Sequence, residues 1–252
     1  KYKAGAGGSV GVGYDFYFLP YMGIGSGVEF SFLRSSYRVE ERNYSMSAQF
    51  DDDPMHGGSG GVGAPFTFLV QMRNEQTEQR ATYLNIPLML RFRVKWFSFG
   101  AGVKAGFPLS GTYNRFMGEL KTEGKYGMLA AETLENMPNH GFVDEKATYG
   151  NGKLSLRTDW AVSVDFGITL RPEGSGKGKG GRVPFLEAGI FADYGLRNIN
   201  KGGAEPVYPI TYDASVSGCL RQNSGLVTAS GTPLSLHSLS VGVRIAVGLS
   251  WR

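Results

Sequence analysis

Apolar and polar residues alternate one by one along much of this chain, and two segments show the pattern at full length. Between Leu154 and Leu170 the even-numbered positions are large and apolar apart from Thr158, whereas the odd-numbered ones are small, polar or charged. The segment Leu239–Trp251 repeats this alternation with its odd-numbered positions apolar. Because successive side chains of a β-strand point to opposite faces, both segments are predicted to be strands with one apolar face and one polar face.

Five further segments alternate in the same way, which brings the predicted strands to seven. These segments are Ala4–Phe18, Met22–Phe32, Thr82–Val94, Phe97–Leu109 and Leu186–Leu196.

The connections between the predicted strands are of two kinds. Short or flexible turns lie at 19–21, 95–96 and 171–184, and long polar stretches lie at 36–81, 111–153 and 198–235. Short connections on one side and long ones on the other are typical of outer-membrane barrels. Within the long stretches, two short segments are expected to continue strands above the bilayer, namely Phe66–Val70 and Val207–Tyr212.

The composition excludes several other classes of protein. No run of 18 apolar residues occurs, which excludes helical membrane spans, and 13% aromatic residues exclude a disordered chain. The single cysteine, Cys219, excludes a disulfide framework and a multi-cysteine metal site. The net charge is +4 without a basic and aromatic groove pattern, so nucleic acid is not an expected partner.

Alternation alone does not decide whether the apolar face of a barrel points inwards, as in a soluble lipocalin-like barrel, or outwards, as in a membrane barrel. The polar face is rich in Gly and Ser, and small residues suit the crowded interior of a narrow barrel. The charges on this face are of both signs, as expected if they pair across a low-dielectric lumen. This predicted lumen charge network comprises Asp15, Glu29, Arg91, Arg93, Lys104, Arg157, Asp159, Asp165, Glu187, Asp193 and Arg244.

Aromatic residues cluster at the ends of the apolar faces, where the interfacial girdles of membrane barrels lie. The predicted interfacial aromatics are Tyr14, Phe16, Phe18, Trp96, Phe97, Trp160, Tyr194 and Trp251. These observations favour one domain over residues 1–252, an all-β antiparallel up-and-down transmembrane β-barrel. We expect about eight strands, with short periplasmic turns and long extracellular loops.

The predicted strands are one short of the even number that a closed barrel of this kind needs. With the short turns on the periplasmic side, the first and the last of the seven predicted strands both run downwards. Seven is an odd number, whereas bacterial outer-membrane barrels have an even number of strands. We therefore expect either an upward strand before Lys1 or an unrecognised strand within a loop.

Four stretches resemble the outer-membrane β-barrel family, namely Thr82–Leu90, Phe99–Gly106, Ala192–Leu196 and the closing Ser238–Trp251. Within the last of them, Ser-x-Gly-x-x-Ile-x-Val is similar to the terminal-strand signal read by the barrel assembly machinery. The resemblance is to OmpA-type barrels, which stand alone or precede a periplasmic peptidoglycan-binding domain. It implies the bacterial outer membrane as location, with lipopolysaccharide and other envelope proteins as partners. It also implies contact with peptidoglycan through a C-terminal domain that would follow residue 252.

A barrel of about eight strands encloses just enough space for its own side chains, so the lumen network is expected to be a structural plug. Arg91 with Glu29 and Arg244 with Asp165 are the expected kinds of pair. We therefore expect a non-catalytic structural or accessory subunit of an envelope complex, without a cofactor. The alternatives are a small pore, which needs continuous water through the lumen, and a lipid-modifying outer-membrane enzyme.

Three short segments are weaker candidates for catalysis, cation binding and phosphate binding. His237 and Ser238 lie at the outer end of the last predicted strand, but adjacent strand residues point to opposite faces, which does not suit a base and its nucleophile. The segment Asp51–His56 offers carboxylate oxygens for a divalent cation, although a solvated acidic loop is the simpler interpretation. The segment Gly174–Arg182 lacks the spacing of a phosphate-binding loop.

Overall fold

The computed structural model describes residues 2–50, 65–126, 133–170, 182–201, 208–223 and 237–251. These residues form twelve β-strands and two short 3-10 turns at Pro138–His140 and Ser217–Cys219, and none of them is in an α-helix. The strands are β1 (Tyr2–Ala4), β2 (Gly8–Tyr17), β3 (Met22–Gln49), β4 (Pro65–Val94), β5 (Phe97–Tyr126), β6 (Thr133–Leu134), β7 (Asp144–Lys153), β8 (Asp159–Leu170), β9 (Arg182–Gly195), β10 (Ile210–Tyr212), β11 (Leu220–Gln222) and β12 (Leu239–Trp251). Within the described ranges, no helix is long and apolar enough to cross a membrane.

Ten of the strands form one antiparallel sheet, in which consecutive long strands are also neighbours in space. Its order is β1-β3-β4-β5-β8-β9-β12, with β2 also paired to β3 and with β6 and β7 also paired to β5. The two remaining strands, β10 and β11, pair only with each other. The predicted all-β, antiparallel up-and-down architecture is confirmed.

The seven predicted segments all contain a long strand, and the structure adds five short or unforeseen strands to them. The segment Ala4–Phe18 is interrupted between β1 and β2, and the segment Leu154–Leu170 becomes continuous strand only at Asp159. Phe66–Val70 lies within β4 as predicted, whereas Ile210–Tyr212 forms β10 apart from the main sheet. The expected count of about eight strands therefore rises to twelve.

The cylinder is not closed by the described strands. At one edge of the sheet β2 pairs only with β3, and at the other edge β12 pairs only with β9. No pairing joins β2 to β12 within the part of the chain that the structure describes.

The lower parts of the long strands carry the apolar band expected of a membrane barrel. On β3 this band runs from Met22 to Phe32, with Ile24, Val28 and Phe30 exposed between them. Ten residue steps of about 3.3 Å, tilted by about 40°, give a height of about 25 Å. This height equals that of the lipid-facing band of outer-membrane barrels.

Three strands continue far beyond this band. β3, β4 and β5 contain 28, 30 and 30 residues. The long polar stretches at 36–81 and 111–153 are therefore largely strand in the described residues, which corrects the prediction that they are loops.

A break in the alternation explains why this continuation was missed. On β4 the buried positions are odd-numbered from Glu75 to Gln79 and even-numbered from Phe66 to Met72. Asn74 lies at the change with a φ of 53°, and Ala147 on β7 has a φ of 55° at a similar level of the sheet. The period of two therefore shifts within the strand. Directly below the shift, from Glu75 to Gln79, the buried residues are polar, so hydrophobic alternation does not reveal them.

The part of the molecule above the band, which we call the upper lobe, comprises the described residues of 34–50, 65–81, 111–126, 133–153 and 208–223. It has a hydrophobic core of its own, in which residues 133–143 and 208–223 cover one face of the extended sheet. Phe50 stacks on Phe66 with ring centroids 4.3 Å apart, and Phe142 meets Phe66 edge-on at 5.7 Å. The buried members of this core are Phe50, Phe66, Phe68, Val70, Met72, Met117, Leu120, Phe142, Val143 and Ile210.

Candidate functional site

The polar face of the lower sheet lines the lumen, where eight of the eleven predicted charged residues form two connected groups. The first group contains Asp15, Arg91, Asp165, Glu187 and Arg244. The second group contains Glu29, Lys104 and Asp193.

Asp165 of β8 is the centre of the first group and is 5% exposed. Arg91 of β4 donates through Nη1 to both Asp165 carboxylate oxygens, at 2.7 and 2.8 Å, and its Nε lies 3.4 Å from Asp15 Oδ1. Arg244 of β12 donates through Nη2 to Asp165 at 3.2 Å and also pairs with Glu187 of β9. One carboxylate thus links two guanidinium groups across the lumen.

Of the two expected pairs, the structure contains Arg244 with Asp165, but it places Arg91 against Asp165 and Asp15 rather than Glu29. The sequence indicates which face a charge occupies but not the stagger between strands, so it does not determine the partner. Gly100 of β5 leaves no room for a larger residue beside Arg91 and Asp165. A β-carbon there would lie 2.6 Å from Arg91 Nη1 and 2.6 Å from Asp165 Oδ2.

Lys104 of β5 organises the second group. Its Nζ lies 2.8 Å from Asp193 Oδ2 and 3.5 Å from Glu29 Oε2. The Ser163 hydroxyl donates to the other oxygen of Asp193 at 2.5 Å, and Lys104 Nζ lies 5.6 Å from the Phe191 ring centroid. One ammonium group is therefore shared by two lumen carboxylates.

The other three predicted lumen residues stand apart from these groups. Arg93 lies over the Tyr17 ring with its guanidinium carbon 4.7 Å from the centroid. Asp159 accepts a hydrogen bond from Ser238. Arg157 is exposed and belongs to neither group, so the structure does not place it in the network.

Little space is left near Lys104 at the upper end of the lumen. A polar cavity of about 40 Å³ lies there, bounded among others by Tyr83, Asn85, Asp159 and Ser238. A single water molecule needs about 10–15 Å³ of such space, so this cavity has room for a few water molecules.

Seven of the eight predicted interfacial aromatics have side chains on the lipid-facing side that are 40–60% exposed. The eighth, Trp251, is the last residue of β12. Trp96 stacks on Phe97 at the β4–β5 turn with ring centroids 4.3 Å apart. Tyr14 lies opposite Ser26 in the register of β2 and β3. It is therefore inside the band rather than at its end.

A buried charge cluster in the upper lobe was not predicted from the sequence. Glu75 is 1% exposed and lies 3.3 Å from Arg42 Nε and 3.3 Å from Arg115 Nε. Arg115 also donates to the backbone carbonyls of Pro209, at 3.2 Å, and Asn223, at 2.9 Å. This cluster ties segment 208–223 to the sheet.

A tyrosine hydroxyl completes this buried cluster. Tyr37 donates to Glu75 Oε1 at 3.1 Å. Burial, reinforced by the negative charge of Glu75, raises the pKa of Tyr37 to about 12. Tyr37 therefore remains a hydrogen-bond donor at any physiological pH.

A third charged group, also unforeseen, lies on the outward wall of the sheet just above the apolar band. Arg34 of β3 and Arg80 of β4 are directly opposite each other. Glu78 lies between them, with Oε1 2.5 Å from Arg34 Nε and 2.9 Å from Arg80 Nη2. Hydrogen bonding from Arg80, and then from Arg34, lowers the pKa of the Glu78 carboxyl. Only the strand register brings these residues together, which is why the sequence alone did not reveal the group.

His237 and Ser238 point in different directions. The His237 ring is parallel to that of the exposed Tyr194, with centroids 6.4 Å apart, and its Nδ1 lies 3.0 Å from the Gly195 carbonyl oxygen. The Ser238 hydroxyl instead donates to Asp159 in the lumen. This arrangement does not bring the imidazole and the hydroxyl together as a base and its nucleophile.

Two of the weaker sequence candidates cannot be placed in the fold. The segment Asp51–His56 lies outside the described residues, as does Gly174–Arg182 except for the β9 end residue Arg182. In the described ranges, no group of three His, Cys, Asp or Glu side chains is arranged to hold a metal ion.

A comparison with known protein families matches residues 1–172 to the family described as outer membrane protein beta-barrel domain. The match covers more than half of the 252 residues and extends from β1 to the end of β8. No curated protein and no solved structure matched the chain.

Proposed function

The chain belongs to the outer-membrane β-barrel domain family and is located in the bacterial outer membrane, and from this premise we propose that it is a non-catalytic structural or accessory subunit. Its barrel is the membrane anchor, and its upper lobe is the part that contacts other envelope proteins. The proposal rests on the upper lobe. A barrel that only spans the bilayer needs strands of about 9–11 residues, whereas β3, β4 and β5 are 28 to 30 residues long.

The contacts within the lobe support a rigid binding surface. Its aromatic core and the buried Glu75 cluster hold segments 133–143 and 208–223 against the sheet. A surface that is ordered before binding loses less conformational entropy when a partner docks. The lobe is therefore suited to a protein–protein contact outside the bilayer.

The lumen supports a plug rather than a pore. Arg91, Lys104 and Arg244 each bridge two carboxylates, and the cavity beside Lys104 has a volume of only about 40 Å³. Side chains held in this way occupy the route that water and ions would need. The resemblance to OmpA-type barrels adds envelope anchoring to the proposal, with peptidoglycan as a further proposed partner.

The first prediction concerns the state of the protein in its membrane. Extracted in mild detergent, it is expected to migrate as a complex several times larger than one chain. A photo-crosslinking residue in place of Tyr149, which is 75% exposed on the lobe, is expected to capture a second protein. The matched control is the same residue in place of Val103, inside the apolar band, which is expected to capture lipid only.

Three results would contradict this prediction and name another function. A species of one chain's mass without protein crosslinks indicates an independent barrel. Unitary conductance steps in planar bilayers indicate a pore. A change in lipopolysaccharide acylation that disappears in His237→Ala indicates a lipid-modifying enzyme.

A further inference from the structure

A row of basic side chains crosses four strands on the outward wall of the sheet. Arg34 of β3 lies opposite Arg80 of β4, Arg80 lies opposite Thr112 of β5, and Thr112 lies opposite Lys153 of β7. Residues that are directly opposite in an antiparallel pair share one face of the sheet. Arg34, Arg80 and Lys153, which we call the basic row, therefore face the same side.

This side is the lipid-facing one, and the basic row lies immediately above the apolar band. Arg34 is two residues beyond Phe32, and Arg80 is two residues beyond Thr82, which is opposite Phe32. Two residues correspond to about 5 Å of height in a tilted strand. This is the level at which the headgroups of the outer leaflet meet the protein.

The charge around the basic row is unbalanced. In the next row upwards, Lys3 of β1 lies opposite Ser36, and Ser36 lies opposite Glu78. The two rows therefore carry four cationic side chains and one carboxylate. Glu78 already lies between Arg34 and Arg80, which remain 52% and 59% exposed. Like charges directly opposite each other destabilise a sheet, so a second anion at this position is favourable.

We propose that the basic row binds the phosphate groups of lipopolysaccharide, whose acyl chains then lie along the apolar band below. Arg34 and Arg80 supply planar guanidinium groups, which match phosphate oxygens in a bidentate manner. Lys153 and Lys3 add point charges on either side. This inference depends on the outer-membrane location and not on the proposed subunit role.

The test uses the complete protein, purified in detergent and titrated with lipopolysaccharide while bound lipid is counted by native mass spectrometry. The double variant Arg34→Gln/Arg80→Gln is expected to bind about thirtyfold more weakly, because each basic residue near an anionic surface contributes about 1 kcal/mol. The matched control, Arg38→Gln/Arg73→Gln, removes the same charge from the same two strands farther up. It is expected to bind within about twofold of the unmodified protein. Enzymatic removal of the lipid phosphates is expected to abolish the difference between the two variants.

Three outcomes would overturn the proposal. The first is equal binding of lipopolysaccharide by the two double variants. The second is equally tight binding of dephosphorylated and phosphorylated lipid by the unmodified protein. The third is displacement of the lipid by inorganic phosphate at equal concentration, which assigns the row to free phosphate. Unchanged heat-modified mobility of both variants on gels establishes that the barrel is folded in each case.

The sheet of described strands has two edges, β2 and β12, that are each paired on one side only. Six antiparallel pairings lead from β2 through β3, β4, β5, β8 and β9 to β12, so β2 and β12 run in the same direction. Direct pairing between them would be parallel. The described strands of the opposite direction, β3, β5 and β9, already have neighbours on both sides.

The side chains at these edges are correspondingly uncovered. On the lipid-facing side, Val12 of β2 and Val247 of β12 are both 80% exposed. Val103 and Val162, on interior strands, are 44% and 42% exposed. Unpaired backbone groups cost several kcal/mol each in hydrocarbon, so a further strand has to cover both edges in a membrane.

We infer that an eighth bilayer-spanning strand, running outwards, closes the barrel between β2 and β12. A second copy in the same membrane orientation offers only edges of the wrong direction. The lipid-facing residues of the eighth strand are apolar, and its lumen face carries a basic residue, since the six predicted lumen carboxylates exceed the four basic residues that remain when Arg157 is left out.

Disulfide scanning of the full gene product tests this closure in a Cys219→Ser background. Val12→Cys is combined in turn with cysteine at Val241, Val243, Ile245 and Val247. With a strand in between, the two backbones are about 9.5 Å apart, too far for a disulfide, so none is expected to form. Backbone amides of β2 and β12 are instead expected to exchange slowly with deuterium in lipid vesicles, because a paired strand protects them. A direct disulfide between β2 and β12, or rapid exchange of the amides at both edges, would overturn the inference.

Discussion

Replacement of Asp165 with alanine is expected to lower the free energy of unfolding of the barrel by about 3 kcal/mol. Asp165 is 5% exposed and accepts hydrogen bonds from both Arg91 and Arg244. Removal of one partner from a buried ion pair leaves an uncompensated charge and typically costs about 3–5 kcal/mol. The lower end applies here because Arg91 keeps Asp15 and Arg244 keeps Glu187. Urea titration of the protein folded in lipid vesicles, followed by tryptophan fluorescence, measures the change.

Two further variants separate the buried charge from other effects of the substitution. Asp213→Ala removes a partly exposed carboxylate that pairs with Arg221 outside the lumen, and it is expected to cost much less than Asp165→Ala because solvent screens surface ion pairs. The double variant Arg91→Met/Asp165→Leu replaces the pair with apolar side chains, and it is expected to be more stable than Asp165→Ala alone. Equal losses in Asp165→Ala and Asp213→Ala would show that the lumen network does not stabilise the barrel.

Replacement of Phe68 with alanine is expected to open the upper lobe while the barrel remains folded. Phe68 is fully buried in the lobe core, and truncation of a buried phenylalanine costs about 3–5 kcal/mol. A loss of 3 kcal/mol increases the population of the opened lobe about a hundredfold, and proteolysis follows that population when opening and closing are fast. Trypsin added to whole cells is therefore expected to cleave the lobe about a hundred times faster.

The neighbouring residue provides the matched control for this prediction. Leu69 lies next to Phe68 on β4 and, by the alternation of the strand, on the opposite face of the sheet. Leu69→Ala is expected to leave the cleavage rate within a few-fold of the unmodified protein. If Phe68→Ala also abolished heat-modified mobility, the lobe and the barrel would unfold as one cooperative unit, contrary to the prediction.

The membrane-spanning part of this fold could be predicted from the sequence because a single rule governs its residues. In a lipid-facing strand every second residue contacts hydrocarbon, so Leu88 and Leu90 alternate with Met89 and Arg91 without interruption. The same rule indicated which charges face the lumen. It could not determine their partners, because the stagger between β4 and β8 that brings Arg91 to Asp165 has no signature in either strand alone.

The structure of the upper lobe could not be predicted from the sequence, and particular residues show why. Glu75, Thr77 and Gln79 are buried polar residues in a strand, and a hydrophobic pattern does not register them. At Asn74 the buried side changes from odd to even positions, which ends the period of two in the middle of β4. The basic row was missed for a third reason, since Arg34 and Arg80 become neighbours only through the pairing of β3 with β4.

The length of β3 beyond the apolar band has a consequence for recognition by antibodies. The sixteen residues from Arg34 to Gln49, at about 3.3 Å per residue and a tilt of about 40°, rise about 40 Å above the bilayer. The outward wall along this rise is assembled from several strands, since Arg38, Gln76, Phe116 and Tyr149 form one cross-strand row. An antibody that binds this wall on living cells therefore recognises a discontinuous epitope, and antisera raised against linear peptides of the chain will not recognise it.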